Sequence, residues 1–94
     1  MPRVMLNGTV LAQSDKTVVV EGNHYFPPSS VDKSLLSESK THTVCPWKGT
    51  ASYYNATVGK NEVNDIAWFY PHPSDKAKNI QDYVAFYKNK VEID

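Results

Sequence analysis

Apolar and polar residues alternate along this chain in short runs, separated by pairs of turn-forming residues. The first run, Arg3 to Leu6, is followed by Asn7-Gly8 and then by Thr9 to Ala12. Asn-Gly between two such runs signals a hairpin, because a type I′ turn needs positive φ at both central residues. Gln13 to Lys16 is a polar turn cluster, and Thr17 to Glu21 is a β-branched strand ended by Gly22-Asn23. Together these predict a three-stranded meander. His24 to Pro28 then leaves the sheet, held extended because a proline restricts the residue before it.

Further on, Ser29 or Ser30 caps a short helix from Val31 to about Ser37, with Val31, Leu35 and Leu36 on one face. Ser37 to His42 reads as polar linker. Thr43-Val44-Cys45 is extended and stops at Pro46, and Gly49 restarts the chain into a strand from Thr50 to Val58. Across a turn at Gly59-Lys60-Asn61, Glu62-Val63 leads into Ile66 to Tyr70, which predicts a long hairpin. Pro71-His72-Pro73 breaks that strand, and Ser74 to Ile80 forms one helical turn capped by Ser74. Tyr83 to Tyr87 is a strand, Lys88-Asn89 a turn, and Lys90 to Ile93 a final strand. The expected fold is mainly β (α+β at most): one compact antiparallel domain over residues 1–94, with one or two short helices.

Strand alternation sorts the aromatic residues. Tyr53 and Tyr54 must point to opposite faces; Trp68 and Tyr70 share a face that Phe69 does not; Val84 and Phe86 oppose Tyr83, Ala85 and Tyr87. A domain of 94 residues cannot bury all eleven aromatics on one side. Either they fill two halves of a sandwich, or some line a groove, a pocket or a dimer interface.

Charge and cysteine content narrow the function classes. Ten basic residues balance ten acidic ones, so no long-range field favours nucleic acid. A single cysteine excludes an internal disulfide framework and a four-cysteine zinc site. Met1-Pro2-Arg3 leads into a short alternating segment, not an apolar run of signal length, and no stretch approaches the roughly 20 apolar residues of a membrane span. A soluble, cytoplasmic protein is expected. His24, His42 and His72 are scattered, and the three-residue offset of His42 from Cys45 sends them to opposite faces of an extended strand. No metal site and no cofactor are expected.

The unusual residues concentrate between Thr43 and Tyr54. Cys45 is either a small buried hydrophobe or a nucleophile activated by Lys48, with His42 or His72 as base. Lys48, between Trp47 and Gly49, lies in a tight turn where its charge can hold an anion or rest over the indole ring. Asp65 and Glu62, near the Trp68 strand, are candidate acid, base or lysine partner.

Tyr25-Phe26-Pro27, Thr43-Val44-Cys45-Pro46-Trp47-Lys48-Gly49, Ala51-Ser52-Tyr53-Tyr54, Ala67-Trp68-Phe69-Tyr70-Pro71 with Pro73, and Ile80 followed by Val84 to Tyr87 form an ordered series of blocks. With the Asn7-Gly8 hairpin, they make the chain resemble the domain of unknown function family 427 over nearly its whole length. The resemblance implies a β-rich domain similar to the β-tent topology of methionine sulfoxide reductase B and the thalidomide-binding domain of cereblon. It also implies a small-molecule pocket on the sheet surface and its loops. The zinc site frequent in that topology needs four cysteines, which this chain lacks. The nucleotidyltransferase label that the family sometimes carries finds no phosphate-loop motif and no spaced aspartate pair for magnesium.

Three functions follow as expectations. In the first, Tyr25, Phe26, Trp47, Tyr54, Trp68 and Tyr70 form a ligand pocket with Lys48 as its polar anchor. In the second, Cys45 or Lys48 acts in that pocket as an enzyme residue, assisted by Asp65, His42 or His72. In the third, the aromatic surface is buried in a homodimer.

Overall fold

The computed structural model describes residues 1–94 and is mainly β. Its strands are β1 (Arg3–Leu6), β2 (Thr9–Gln13), β3 (Val18–Val20), β4 (Asn23–Tyr25), β5 (Leu36–Cys45), β6 (Gly49–Val58), β7 (Asn61–Phe69), β8 (Val84–Phe86) and β9 (Glu92–Ile93). They form a four-stranded sheet in the order β5-β6-β7-β8, a three-stranded sheet in the order β2-β1-β9, and the β3-β4 hairpin. Every strand pairing is antiparallel. No helix is long and apolar enough to cross a membrane.

The Asn7-Gly8 turn forms as expected, with φ of 50° and 80°, and Leu6 pairs with Thr9 across it. The meander does not continue into Val18–Val20. The third strand of that sheet is β9, which pairs with β1 and brings Arg3 into an ion pair with Asp94. The segment at Val31 bonds β2 through an isolated bridge at Ala12 and the Asp32 N–H donating to the Leu11 carbonyl at 2.8 Å. The Val18–Val20 strand instead finds a local partner in Asn23–Tyr25 through the two-residue turn Glu21-Gly22. Residues 23–25 therefore belong to a strand rather than leaving the sheet.

The helix expected over Val31 to Ser37 is replaced by two 3-10 turns, Pro28–Ser30 and Lys33–Leu35. Val31 is held extended by its bridge to Ala12, and Asp32 caps the second turn by accepting from the Ser34 N–H at 3.1 Å. The Ser37 to His42 linker is in fact most of β5. Its polar residues suit an edge strand, and a register shift between Glu38 and His42 breaks its alternation. Residues Asp75–Ile80 form a further 3-10 segment, whose expected cap Ser74 turns its hydroxyl to the Trp47 carbonyl instead.

Two hydrophobic cores lie on the two faces of the four-stranded sheet. The first is built from Tyr54, Ala56, Ile66, Ala67, Phe69, Val84 and Phe86, and it is closed by β1, β2, Phe26 and Val31. The second takes Ala51, Tyr53, Trp68, Tyr70, Ala85 and Tyr87, covered by Tyr25, Val18 and Val20 of the hairpin and by Ala77 and Ile80. The hairpin reaches both cores because Phe26 exchanges backbone hydrogen bonds with Val84, at 2.8 and 2.9 Å, extending the sheet past β8. Period-2 alternation then splits three adjacent aromatic pairs. Tyr25, Tyr53 and Trp68 face the second core; Phe26, Tyr54 and Phe69 face the first.

Candidate functional site

The aromatic residues pack against each other on both faces. In the first core Tyr54 stacks on Phe69 with centroids 4.4 Å apart, and Phe26 meets Phe86 edge-on at 6.0 Å. In the second, Trp68 lies 4.7 Å from Tyr87 and meets Tyr25 edge-on at 6.2 Å. The Trp68 indole N–H donates to the Tyr25 hydroxyl at 3.1 Å, and Thr43, Tyr53 and Tyr87 link their hydroxyls at 2.8 and 3.5 Å. Of the seven residues assigned to a pocket by sequence, the sheet separates Phe26 and Tyr54 from the rest. Tyr25, Trp68 and Tyr70 pack together on the other face, with Lys48 placed over Tyr70. A cleft of about 200 Å³ lies elsewhere, bordered by Met5, Leu6, Asn7 and residues 89–92, and none of the seven lines it.

The concentration of chemistry is at the β5–β6 turn. Pro46, Trp47 and Lys48 form this turn, and Lys48 is only 6% exposed although it ends on a charge. Its ammonium bonds the Glu21 carboxylate and lies 5.2 Å from the Trp47 ring centroid and 5.6 Å from that of Tyr70. Two aromatic faces and one carboxylate thus surround the cation, an arrangement that favours its charged form. Burial pulls the Lys48 pKa down. The Glu21 carboxylate and the Tyr25 and Tyr70 phenols outweigh it, so the ammonium titrates above its usual 10.5. Glu21 is held below its usual 4.5, first by the bond to Lys48 and its charge, with a contribution from the Trp47 side chain. Burial pushes the Tyr70 phenol up to about 12, against the pull of Lys48.

The turn is fixed from behind by the segment after β7. The Ser74 N–H donates to the Lys48 carbonyl at 3.0 Å, and the Ser74 hydroxyl donates to the Trp47 carbonyl. Gly49 adopts φ of 114°, and a Cβ there would stand 3.3 Å from the His72 carbonyl oxygen. The glycine of the Trp-Lys-Gly turn is thus required both for its backbone conformation and for a close approach. Trp47 is 40% exposed, so the ring beside the ammonium faces solvent.

Asp65 does not partner Lys48. It occupies a bulge in β7, at φ of 52°, where the register with β6 shifts between Tyr54 and Ala56. Its carboxylate accepts from the Thr41 hydroxyl at 2.7 Å, and its N–H donates to the Asn55 side chain at 2.9 Å. The Ser39 and Thr41 hydroxyls hold its pKa below 3.8, with Lys90 adding to them. Glu62 is exposed at the start of β7. Cys45 is a half-buried thiol beside the second core, opposite Gly49 in the ladder. His42 bonds the Lys40 carbonyl, His24 bonds Thr17, and His72 is exposed. No three His, Cys, Asp or Glu side chains converge as a metal would require.

The family model described as "Domain of unknown function (DUF427)" matches residues 2–94. The chain belongs to the DUF427 family. A search of curated proteins returns no match. The residue that sequence reasoning missed in this DUF427 domain is Glu21. Its signal was present, because Glu21-Gly22 occupies a two-residue turn with φ of 54° and 79°, where asparagine or aspartate is the usual first residue. The partner across space was not readable from the turn itself.

Proposed function

We propose that this protein binds a small anionic molecule at the corner formed by Trp47, Lys48 and Tyr70. The observation supporting this most directly is a nearly fully buried ammonium whose carboxylate partner stands on an exposed turn, beside an exposed indole. Ligand sites combine apolar walls with a few placed polar groups. Here the walls are aromatic and the polar group is a cation held in its charged form. Binding thus fits the geometry better than amine catalysis by Lys48, because an amine nucleophile needs its pKa lowered rather than raised. The small-molecule surface that the resemblance to β-tent domains implies points the same way.

A thermal-shift screen of carboxylated and phosphorylated metabolites, run in parallel on the wild type and Lys48→Met, tests it. A ligand at 100 times its dissociation constant stabilises the fold by about 2.7 kcal/mol. The expected result is stabilisation of the wild type by at least one anion and none of the folded Lys48→Met protein. Equal shifts in both proteins, or none in the wild type across the panel, would overturn it.

A further inference from the structure

We infer that Glu21 is a built-in occupant of the Lys48 site, and that the ligand it stands in for is a carboxylate attached to a planar ring. This deepens, and rests on, the reading of Lys48 as an anion anchor.

The turn chemistry is the first support. Both two-residue turns with paired positive φ in this chain end in glycine, at Gly8 and Gly22. The first begins with Asn7, a residue that tolerates the left-handed region; the second begins with Glu21, which does so less readily. Glutamate at this position is explained by its side chain, which reaches Lys48 across the second core's edge.

The second support is the asymmetry of the pair. The Lys48 side chain is 8% exposed and that of Glu21 is 55% exposed. The cation is therefore fixed in the wall, while the carboxylate approaches it from the solvent side. Lys88 separately anchors the hairpin tip, donating to the Gly22 carbonyl at 2.7 Å, so the tip stays docked when Glu21 leaves.

The third support defines the ligand. Glu21 bonds the Lys48 ammonium, which itself lies 5.2 Å from the Trp47 ring centroid. That single buried cation is a partner for one carboxylate, because Lys88, the other cation at the tip, is bonded to the Gly22 carbonyl. The exposed Trp47 ring borders the same position and offers a stacking face to a planar ring. An arenecarboxylate satisfies both contacts, and its neutral amide satisfies only the stacking.

The test follows the Trp47 indole N–H resonance by NMR during titration with benzoate and with benzamide. The proteins are the wild type, Glu21→Gln, Glu21→Asn and Lys48→Met. Glu21→Asn places a turn-compatible residue at the strained position, so it provides a folded variant if Glu21→Gln is unstable. The Trp68 indole N–H, bonded to Tyr25, is the internal reference. Because a site occupied by its own side chain binds in proportion to its free fraction, removing the occupant should tighten benzoate binding about tenfold in both Glu21 variants. Benzamide, which keeps the stacking but not the ion pair, should shift the Trp47 resonance only at far higher concentration, and Lys48→Met should weaken the benzoate response to the benzamide level. Benzoate binding of equal affinity in the wild type and the Glu21 variants would overturn Glu21 as occupant while leaving the Lys48 anchor intact. Equal responses to benzoate and benzamide would overturn the carboxylate assignment. No response at Trp47 in any protein would overturn both the occupant and the anchor.

Discussion

Trp68 and Tyr25, 43 residues apart, are joined by a 3.1 Å hydrogen bond from the indole N–H to the phenol oxygen. Their rings meet edge-on at 88°. Tyr25 is fully buried, and Trp68 is half-buried near the end of β7. This contact fastens the β3-β4 hairpin over the second core. Tyr25→Phe keeps the ring but removes the acceptor, so it should destabilise the fold by about 1–3 kcal/mol as the indole N–H loses its partner. Chemical denaturation of Tyr25→Phe, Trp68→Phe and the double variant checks this. The double variant should lose less than the sum of the singles; strict additivity would show that the bond contributes nothing.

The ion pair between Lys48 and Glu21 should shape the pH dependence of stability at both ends. Glu21 titrates below 4.5 in the fold, so its contribution is present above pH 4.5 and disappears as pH falls through its folded value. Lys48 titrates above 10.5, so its contribution is present below that value and disappears as pH rises through its folded value. Lys48→Met should flatten both limbs of a plot of midpoint temperature against pH. The acid limb of Glu21→Gln should flatten similarly, leaving the part due to Asp65. A Lys48→Met curve parallel to the wild type would refute the coupling.

Alkali acts on the tyrosines. Burial raises Tyr70 to about 12, and the bond to Tyr53 together with burial raises Tyr87 to about 12. In the unfolded chain these phenols ionise near 10, so stability should fall steadily from about pH 10 toward 12. Ultraviolet titration of phenolate should show a delayed phase that vanishes when the protein is first unfolded in denaturant. Tyr70→Phe and Tyr87→Phe should each shrink it.

Asp65 is a structural residue at its bulge, and its two substitutions separate backbone from side chain. Asp65→Gly keeps the positive φ available but loses the Thr41 bond. Asp65→Ala loses that bond and also forces a Cβ into the left-handed region, so it should be less stable than Asp65→Gly by about 1–2 kcal/mol. Matched thermal melts decide the order, and an alanine variant more stable than the glycine one would contradict it.

Much of this architecture is legible in the sequence because it follows from period-2 alternation and two-residue turns. The Asn7-Gly8 hairpin, the long β6-β7 hairpin and the opposed directions of Tyr53 and Tyr54 are all of this kind. β5 is not, because an edge strand exposes polar residues on both faces and its bulge between Glu38 and His42 interrupts the alternation. Val31 to Ser37 carries helix-like spacing, yet Val31 is already committed to Ala12 and Leu36 to Ala56. At the site, Lys48 and Trp47 stand out by composition and turn position. The separation of Phe26 and Tyr54 from Tyr25, Trp68 and Tyr70 depends on which face each strand residue takes. Glu21 depends on the docking of a hairpin tip 27 residues from Lys48, which no local pattern encodes.

Gly49 connects the backbone of the site to its chemistry. Its φ of 114° is expensive for any other residue, and a Cβ would press on the His72 carbonyl at 3.3 Å. Gly22 also has positive φ, at 79°, but nothing lies within 4 Å of where its Cβ would be. Gly22→Ala should therefore cost only the conformational part, about 1–2 kcal/mol. Gly49→Ala should exceed that loss, because residues 72–74 must also move. Since Ser74 holds the carbonyls of Trp47 and Lys48, the displacement carries directly into the Trp47-Lys48 turn. At about 4–8 °C per kcal/mol for a domain of this size, the two variants are separable by thermal melts. The Trp47 indole resonance should shift in Gly49→Ala and stay in place when only Gly22 is changed. An unmoved Trp47 in Gly49→Ala would show that the loop beyond β7 does not set the geometry of the Lys48 turn.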